Sequence, residues 1–224
     1  MITLTAFRWV PPFAQGQVRD LRVRWALEEA GIAYRERLIG TKDQASPEYR
    51  ALQPFGQVPA IEEGELKLFE SGAIVLEIAE RSTALMPSDA QGRARARAWT
   101  LAALNTLEPP IMQLAALDVF HADQPWAAPA RPTAQQAVCK RLDELAAWLG
   151  ERDYLEDRYT AGDLMMASVL RILHNTTLVA DRPTLQAYRD RCEARPAFGK
   201  ALAAQLRPFA EYEASRASSQ RAAG

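Results

Sequence analysis

The sequence predicts a two-part chain: an α/β first domain over residues 1–82, a linker over 83–92 and an all-helical second domain over 93–224. Three observations lead there. Along the first 82 residues, patterns of period two and of helical period alternate in the order β-α-β-α-β-β-α. A stretch with Pro87, Ser88, Asp89 and Gly92 then breaks the periodicity. Beyond it no segment reads as a strand, and helical spacing recurs.

Ile2, Leu4 and Ala6 alternate with Thr3 and Thr5, as in a half-buried strand. Residues 8–17 carry two prolines and a glycine and read as a loop. Val18, Leu21, Trp25 and Leu27 then mark a helix, with Arg19, Arg22, Arg24, Glu28 and Glu29 expected outside and Gly31 as its C′ residue. A second strand from Tyr34 to Ile39 completes a βαβ unit. A polar loop over 40–45 precedes Ser46-Pro47, an N-cap and first-turn proline for a short helix over 49–53. Apolar runs at 58–61 and 66–69 flank Glu62-Glu63-Gly64-Glu65, the turn of a β-hairpin. Pro59 donates no ladder hydrogen bond, so it suits a strand start or a special bend such as a cis Val58–Pro59 bond. Ser71 then reads as the N-cap of a buried helix with Ala73, Ile74, Val75, Leu76 and Ile78. Glu70 and Ser71 thus arrive at a helix N-terminus, where backbone N–H groups and the dipole favour an anion.

In the second domain a long helix is expected from Arg93 to Leu107, kinked or ended by Pro109-Pro110 and resumed from Ile111 to Val119. The proline-containing residues 121–133 read as a connection or lid. Val138, Leu142, Leu145 and Leu149 form one stripe of a helix over 134–149. Thr160 and Asp163 have the N-cap and N3 spacing of a capping box before the apolar run 164–170. Pro183 and Pro196 open two further helices, the last ending near Leu206, with residues 214–224 expected to fray.

With 48% hydrophobic and 25% charged residues the composition is that of a soluble globular protein. A net charge of −1 leaves no electrostatic footprint for nucleic acid. No apolar run approaches membrane-spanning length, and the strand-like start lacks the basic leader of a signal peptide, so a cytoplasmic location is expected. Cys139 and Cys192 stand far apart outside any C-x-x-C, which argues against a disulfide scaffold and a dithiol redox site. His121 and His174 have no metal-ligand spacing and read as packing or surface residues; no metal is expected.

Gln57-Val58-Pro59 in a hairpin, then Glu70-Ser71 opening a helix, resembles the glutathione site of the cytosolic glutathione transferases. Thr160 and Asp163 resemble the capping box of the buried central helix in that family's second domain. The resemblance covers residues 1–210 and implies a thioredoxin-like first domain, a homodimer and a role in detoxification. It implies glutathione as co-substrate, without another cofactor. The backbone of Val58, before Pro59, would pair with the cysteinyl part. Glu70 would take the γ-glutamyl ammonium and Ser71 its carboxylate, which suits their chemistry. Gln44, Lys42 or Gln57 would meet the glycyl carboxylate. The implied reaction is attack of the glutathione thiolate on a small hydrophobic electrophile. A free thiol has a pKa near 8.5, so the protein must stabilise the anion with a donor.

The family places a Tyr or Ser donor, or a mixed-disulfide Cys, in the loop after the first strand, and residues 8–20 hold none of these. Counting back from Val23, Gln17 falls where the Ser-type classes carry their serine, and an amide N–H can donate to sulfur. Gln15 is the runner-up; Arg8, Trp9, Arg19 and backbone N–H groups are the other donors. The electrophile would meet Trp9, Pro12 and Phe13 from the loop and Asn105, Thr106, Pro109 and Ile111 from the long helix. Two other readings stand beside conjugation: a non-enzymatic regulator or binding protein of the same fold, and a glutathione-dependent isomerase or dehalogenase. Phe55 would either wedge into the partner subunit or pack within its own.

Overall fold

The structure, a computed structural model, describes residues 1–222, leaving out the side chains of 219–222. In chain order the elements begin β1 (Ile2–Phe7), α1 (Asp20–Ala30), β2 (Tyr34–Ile39), α2 (Thr41–Gln44), α3 (Pro47–Leu52), β3 (Ala60–Glu63), β4 (Leu66–Phe69) and α4 (Ser71–Ala79). They continue with α5 (Ala90–Ala102), α6 (Glu108–Val119), α7 (Ala127–Leu149), α8 (Ala161–Leu170), α9 (Pro183–Glu193) and α10 (Pro196–Ala222). The chain forms two compact units, the first made of residues 1–82 together with α10, the second of residues 83–195.

In the first unit the sheet order is β2-β1-β3-β4, with β1 and β2 parallel and β3 antiparallel to both its neighbours. Ile2, Leu4, Ala6 and Ile61 share one parity and are buried, on the face that α1 and α4 cover. On the other parity Phe7 joins Ile39, Tyr49, Leu52, Val58 and Ala60 in a smaller cluster. The hairpin turn is tighter than expected: Glu62 and Glu63 belong to β3, and only Gly64 and Glu65 turn, Gly64 with φ 60°. Residues 41–44, expected as loop, form the single helical turn α2, closed by the Gly40 amide donating to Asp43 Oδ2 at 2.8 Å.

Helix α1 departs most from the expected amphipathic pattern. Arg22 and Arg24, expected outside, are only 4% and 1% exposed. The reason is α10, which packs along α1 and sets Phe198 4.8 Å from Trp25, while α4 covers another side. Arg24 is compensated by Asp20 at 2.7 Å and by Glu36 of β2. Gln205 of α10 donates to Asp20 Oδ1 at 2.6 Å and to the Val18 carbonyl at 3.0 Å. Burial pushes the Asp20 carboxyl above its usual range despite these donors. Helix α10 also runs on to Ala222, well past Leu206, so the expected frayed end from Ala214 is helical through 222; residues 223–224 lie outside the described residues.

In the second unit α5 continues through a π-helical turn, Ala103–Leu107, into α6. Pro109 and Pro110 sit in the first turn of α6, directly after the π-helical turn that interrupts the α-helical ladder. The expected linker is partly helix, since Asp89 caps α5 by accepting from the Gly92 amide at 2.8 Å, and Leu85 and Met86 are buried. Helix α7 starts at Ala127 and carries Pro132 inside it, so half of the expected connection is helix. Helix α8 is enclosed, with Leu164, Met165, Met166 and Ala167 at 0% exposure. Gly162 permits its close approach to α5: a Cβ there would lie 2.6 Å from that of Trp99. The capping box forms, Asp163 accepting from the Thr160 amide at 2.9 Å. No described helix is long and apolar enough to cross a membrane.

Candidate functional site

Strand register creates the site. Phe7 lies opposite Ile39, Thr5 opposite Ala60, and Ala60 opposite Phe69. The ends of β1, β2 and β4 and the start of β3 therefore meet along one end of the sheet. The loop 8–19, the α2 turn, the Val58–Pro59 bend and the N-terminus of α4 all issue from that end. The Val58–Pro59 bond is cis.

Around the bend two side chains hold the backbone. The Tyr49 hydroxyl donates to the Gln57 carbonyl and the Gln44 amide to the Gly56 carbonyl. The C=O and N–H of one trans peptide point in opposite directions, so holding the Gln57 carbonyl also aims the Val58 N–H. Burial pushes Tyr49 up to about 12, and its hydroxyl keeps its proton at neutral pH. Gln44 thus has one amide hydrogen in use within the chain, while Gln57 and Lys42 present exposed side chains.

At the α4 end the N-cap is Glu70, not Ser71 as expected. Glu70 has φ 70°, the one left-handed non-glycine among the described residues. Such a backbone costs about 1–3 kcal/mol and marks functional sites. The Glu70 side chain is exposed. Ser71 is the first helical residue and is 4% exposed; its Oγ accepts from Arg22 Nη1 at 3.2 Å instead of capping its own helix. The arrangement offers an anion the first amides of α4 and a hydroxyl, and offers a cation the Glu70 carboxylate.

The loop after β1 is tied down by α10. Trp9 Nε1 donates to Glu213 Oε1 at 2.9 Å and its ring packs on Tyr212 with centroids 6.0 Å apart. Gln15 Nε2 lies 3.2 Å from both the Val10 carbonyl and Glu213 Oε1. Arg8 donates to the Leu38 carbonyl at 3.3 Å. Gln17 is half-buried, its backbone N–H bound to the Ala14 carbonyl at 3.0 Å, and its side-chain amide has no hydrogen bond to the described residues. Trp9 and Phe13, the latter 54% exposed, belong to the first unit. Asn105 and Thr106 are exposed on the π-helical turn of the second unit, and Pro109 is exposed beside them. Ile111, expected to approach the electrophile, is fully enclosed.

Sequence reasoning missed Arg22, Tyr49 and Glu213. Arg22 reads as part of the solvated face because helical periodicity within α1 does not register the helices that pack against it. Glu213 lies past the expected end of the last helix near Leu206, where periodicity gives no reason to place it beside the first loop. Tyr49 alone carried a signal, an apolar ring with a hydroxyl in a short helix directly before the bend.

Residues 13–80 match the family model described as glutathione S-transferase, N-terminal domain, and residues 107–196 the one described as glutathione S-transferase, C-terminal domain. A glutathione S-transferase of Silene vulgaris is 32% identical over 180 residues, 75% of this chain and 83% of that protein. Glutathione S-transferase 3 of Zea mays is 31% identical over 198 residues, 82% and 88% of the two chains. Among solved structures, a glutathione transferase from Burkholderia graminis, crystallised with two glutathione molecules per subunit, aligns with a TM-score of 0.79 and 28% identity over 90% of this chain and 87% of its own. Glutathione transferase F7 of Populus trichocarpa aligns with a TM-score of 0.76 and 25% identity over 90% and 97%. The matches run through both units in the family's own order, and with the α/β sheet and the helical unit in place the chain belongs to the glutathione S-transferase family.

Proposed function

We propose that this protein binds glutathione at the sheet end and transfers its thiolate to small hydrophobic electrophiles. The observation that carries the reading is the convergence of the cis Val58–Pro59 bend with Glu70, strained and exposed, and Ser71 at the start of α4. Val58 N–H and its carbonyl suit the cysteinyl backbone, Glu70 the γ-glutamyl ammonium, and Ser71 with the α4 amides its carboxylate. Gln44, Lys42 and Gln57 lie on the segments flanking the bend and suit the glycyl carboxylate. The glutathione bound by the Burkholderia graminis relative supports the reading. On this reading Gln17 donates to the sulfur, and Trp9, Phe13, Asn105 and Thr106 serve the electrophile.

The test is retention on immobilised glutathione, followed by calorimetry. Ser71→Ala should weaken binding by about 1–3 kcal/mol, the range for a hydrogen bond to a charged group; unchanged affinity would remove Ser71 from the site. A panel of electrophiles with product mass analysis then identifies the reaction. A second reading, binding without turnover, draws on one observation: Trp9 and Gln15 already donate to Glu213, so the loop supplies few free donors for a thiolate. Tight glutathione binding with no conjugate from any electrophile would select it.

A further inference from the structure

One carboxylate oxygen of α10 ties together two points of the loop after β1. Glu213 Oε1 accepts from Trp9 Nε1 at 2.9 Å and from Gln15 Nε2 at 3.2 Å. Hydrogen bonds to a carboxylate are stronger than those between neutral groups. Trp9 and Gln15 flank the 3₁₀ turn Pro12–Ala14, so the carboxylate closes a ring around it. Tyr212 packs on the Trp9 ring beside this contact. About two turns earlier on the same helix, Gln205 donates to the Val18 carbonyl at 3.0 Å and to Asp20 Oδ1 at 2.6 Å. Helix α10 therefore grips the loop on both sides of Gln17, at Trp9 and Gln15 before it and at Val18 and Asp20 after it. The Gln17 backbone is tied into the held stretch by its N–H, which donates to the Ala14 carbonyl at 3.0 Å.

The grip also sorts the donors of the loop. An indole has one N–H, and that of Trp9 is on Glu213. A primary amide has two, and those of Gln15 meet the Val10 carbonyl and Glu213. The Gln17 amide alone of these three side chains makes no hydrogen bond to the described residues. Gln205, Tyr212 and Glu213 lie beyond residue 196, outside both matched segments, so family membership by itself assigns them no role.

We propose that Glu213 is a positioning residue for the thiolate donor, an inference that rests on the glutathione reading above. By holding Trp9 and Gln15 it fixes the loop backbone, so that the Gln17 amide is in place before the sulfur ionises. A donor set in advance needs no reorganisation when the charge forms. In a loop free to move, the entropy of ordering would offset part of that hydrogen bond. Glu213 acts through the loop and not on the sulfur.

The experiment uses the full chain, with circular dichroism to verify folding of each variant. Its readouts are hydrogen exchange of peptides covering residues 8–19, calorimetry with glutathione, and thiolate absorbance against pH in the glutathione complex. Glu213→Ala should speed exchange in the loop by about fivefold or more, the scale of one lost hydrogen bond. Glutathione affinity should stay within about twofold, because Val58, Glu70 and Ser71 are held by other contacts. The thiol pKa in the complex should rise by about half a unit to one unit, leaving roughly three- to tenfold less thiolate below it. With saturating glutathione, kcat at neutral pH should fall by the same factor while KM for glutathione holds. Glu213→Gln keeps an acceptor oxygen without the charge and should recover part of both the exchange protection and the titration. Adding Gln17→Ala to Glu213→Ala should give the titration of Gln17→Ala alone, because the two act through one donor. If Glu213→Ala does not fold, Glu213→Gln is read against wild type in the same way.

Faster loop exchange with an unchanged thiol titration makes Glu213 an anchor of the fold alone and overturns the proposal while leaving glutathione binding intact. Unchanged exchange overturns it too, since the loop is then held without the carboxylate. A thiol pKa that falls in Glu213→Ala gives the carboxylate the opposite role, repelling the sulfur anion, and likewise overturns it. Wild type that does not bind glutathione overturns the glutathione reading itself.

Discussion

Gln17 is the residue on which the proposed thiolate stabilisation turns. Its side-chain amide makes no hydrogen bond to the described residues, whereas Trp9 and Gln15, on the same loop, are bound to Glu213. If Gln17 donates to the glutathione sulfur, Gln17→Ala should raise the apparent thiol pKa in the complex by about one to two units. A hydrogen bond to a charged group is worth about 1.5–3 kcal/mol, and one pKa unit is about 1.4. The sign follows from the loss of a donor to the anion. Conjugation should therefore fall most below pH 8 and converge with wild type where the free thiol ionises, near pH 8.5 and above. Thiolate absorbance against pH measures this directly. Identical titrations in both proteins would pass the role to backbone amides or to arginine.

Among the helices, α8 depends on its cap more than on its propensity. Asp163 is 0% exposed and accepts from the Leu155 amide at 2.8 Å and the Tyr188 hydroxyl at 3.0 Å as well as from Thr160. Thr160→Ala should cost about 1 kcal/mol, the usual value of an N-cap. Asp163→Ala should cost about 3 kcal/mol or more, since it strands several buried donors at roughly 1–3 kcal/mol each. Chemical denaturation of both variants checks the order; equal losses would mean that the donors find other partners. Burial raises the Asp163 carboxyl above its usual 3.8 in spite of those donors. The folded chain then holds this proton more tightly than the unfolded chain. Its contribution to stability is present in full below the unfolded value of about 4 and declines as pH rises through the folded pKa. The wild-type pH–stability curve should lose that falling component in Asp163→Asn.

Phe55 is 64% exposed, although its ring meets Phe69 edge-on at 6.2 Å. Contact within its own subunit therefore leaves most of the ring uncovered. Burial of this ring by a second copy is the outcome that a two-fold dimer would give. Sedimentation at micromolar concentration should give the dimer mass. Phe55→Ala should shift the equilibrium toward monomer by about 3 kcal/mol, the scale of truncating a buried phenylalanine. A monomeric wild type would refute the dimer. A dimer indifferent to Phe55→Ala would confine Phe55 to its own subunit.

Much of the fold is legible in the sequence: β1 from alternation, β2 as the strand that completes the βαβ unit, Gly31 as the end of α1, the bend at Pro59, the Glu70–Ser71 pair at a helix start, and the Thr160–Asp163 box. All of these depend on residues within a few positions of one another, and local sterics and hydrogen bonding write such features into composition and spacing. The burial of Arg22 and Arg24, the length of α10 and the hold of Glu213 on Trp9 could not be read in that way. Each depends on partners far along the chain; Arg22 meets Ser71 across 49 positions and Trp9 meets Glu213 across 204. Hydrophobic periodicity reports one buried face per helix. When a second helix covers the charged face of α1, its arginines are desolvated and must find acceptors, and packing between distant segments alone determines which ones they find.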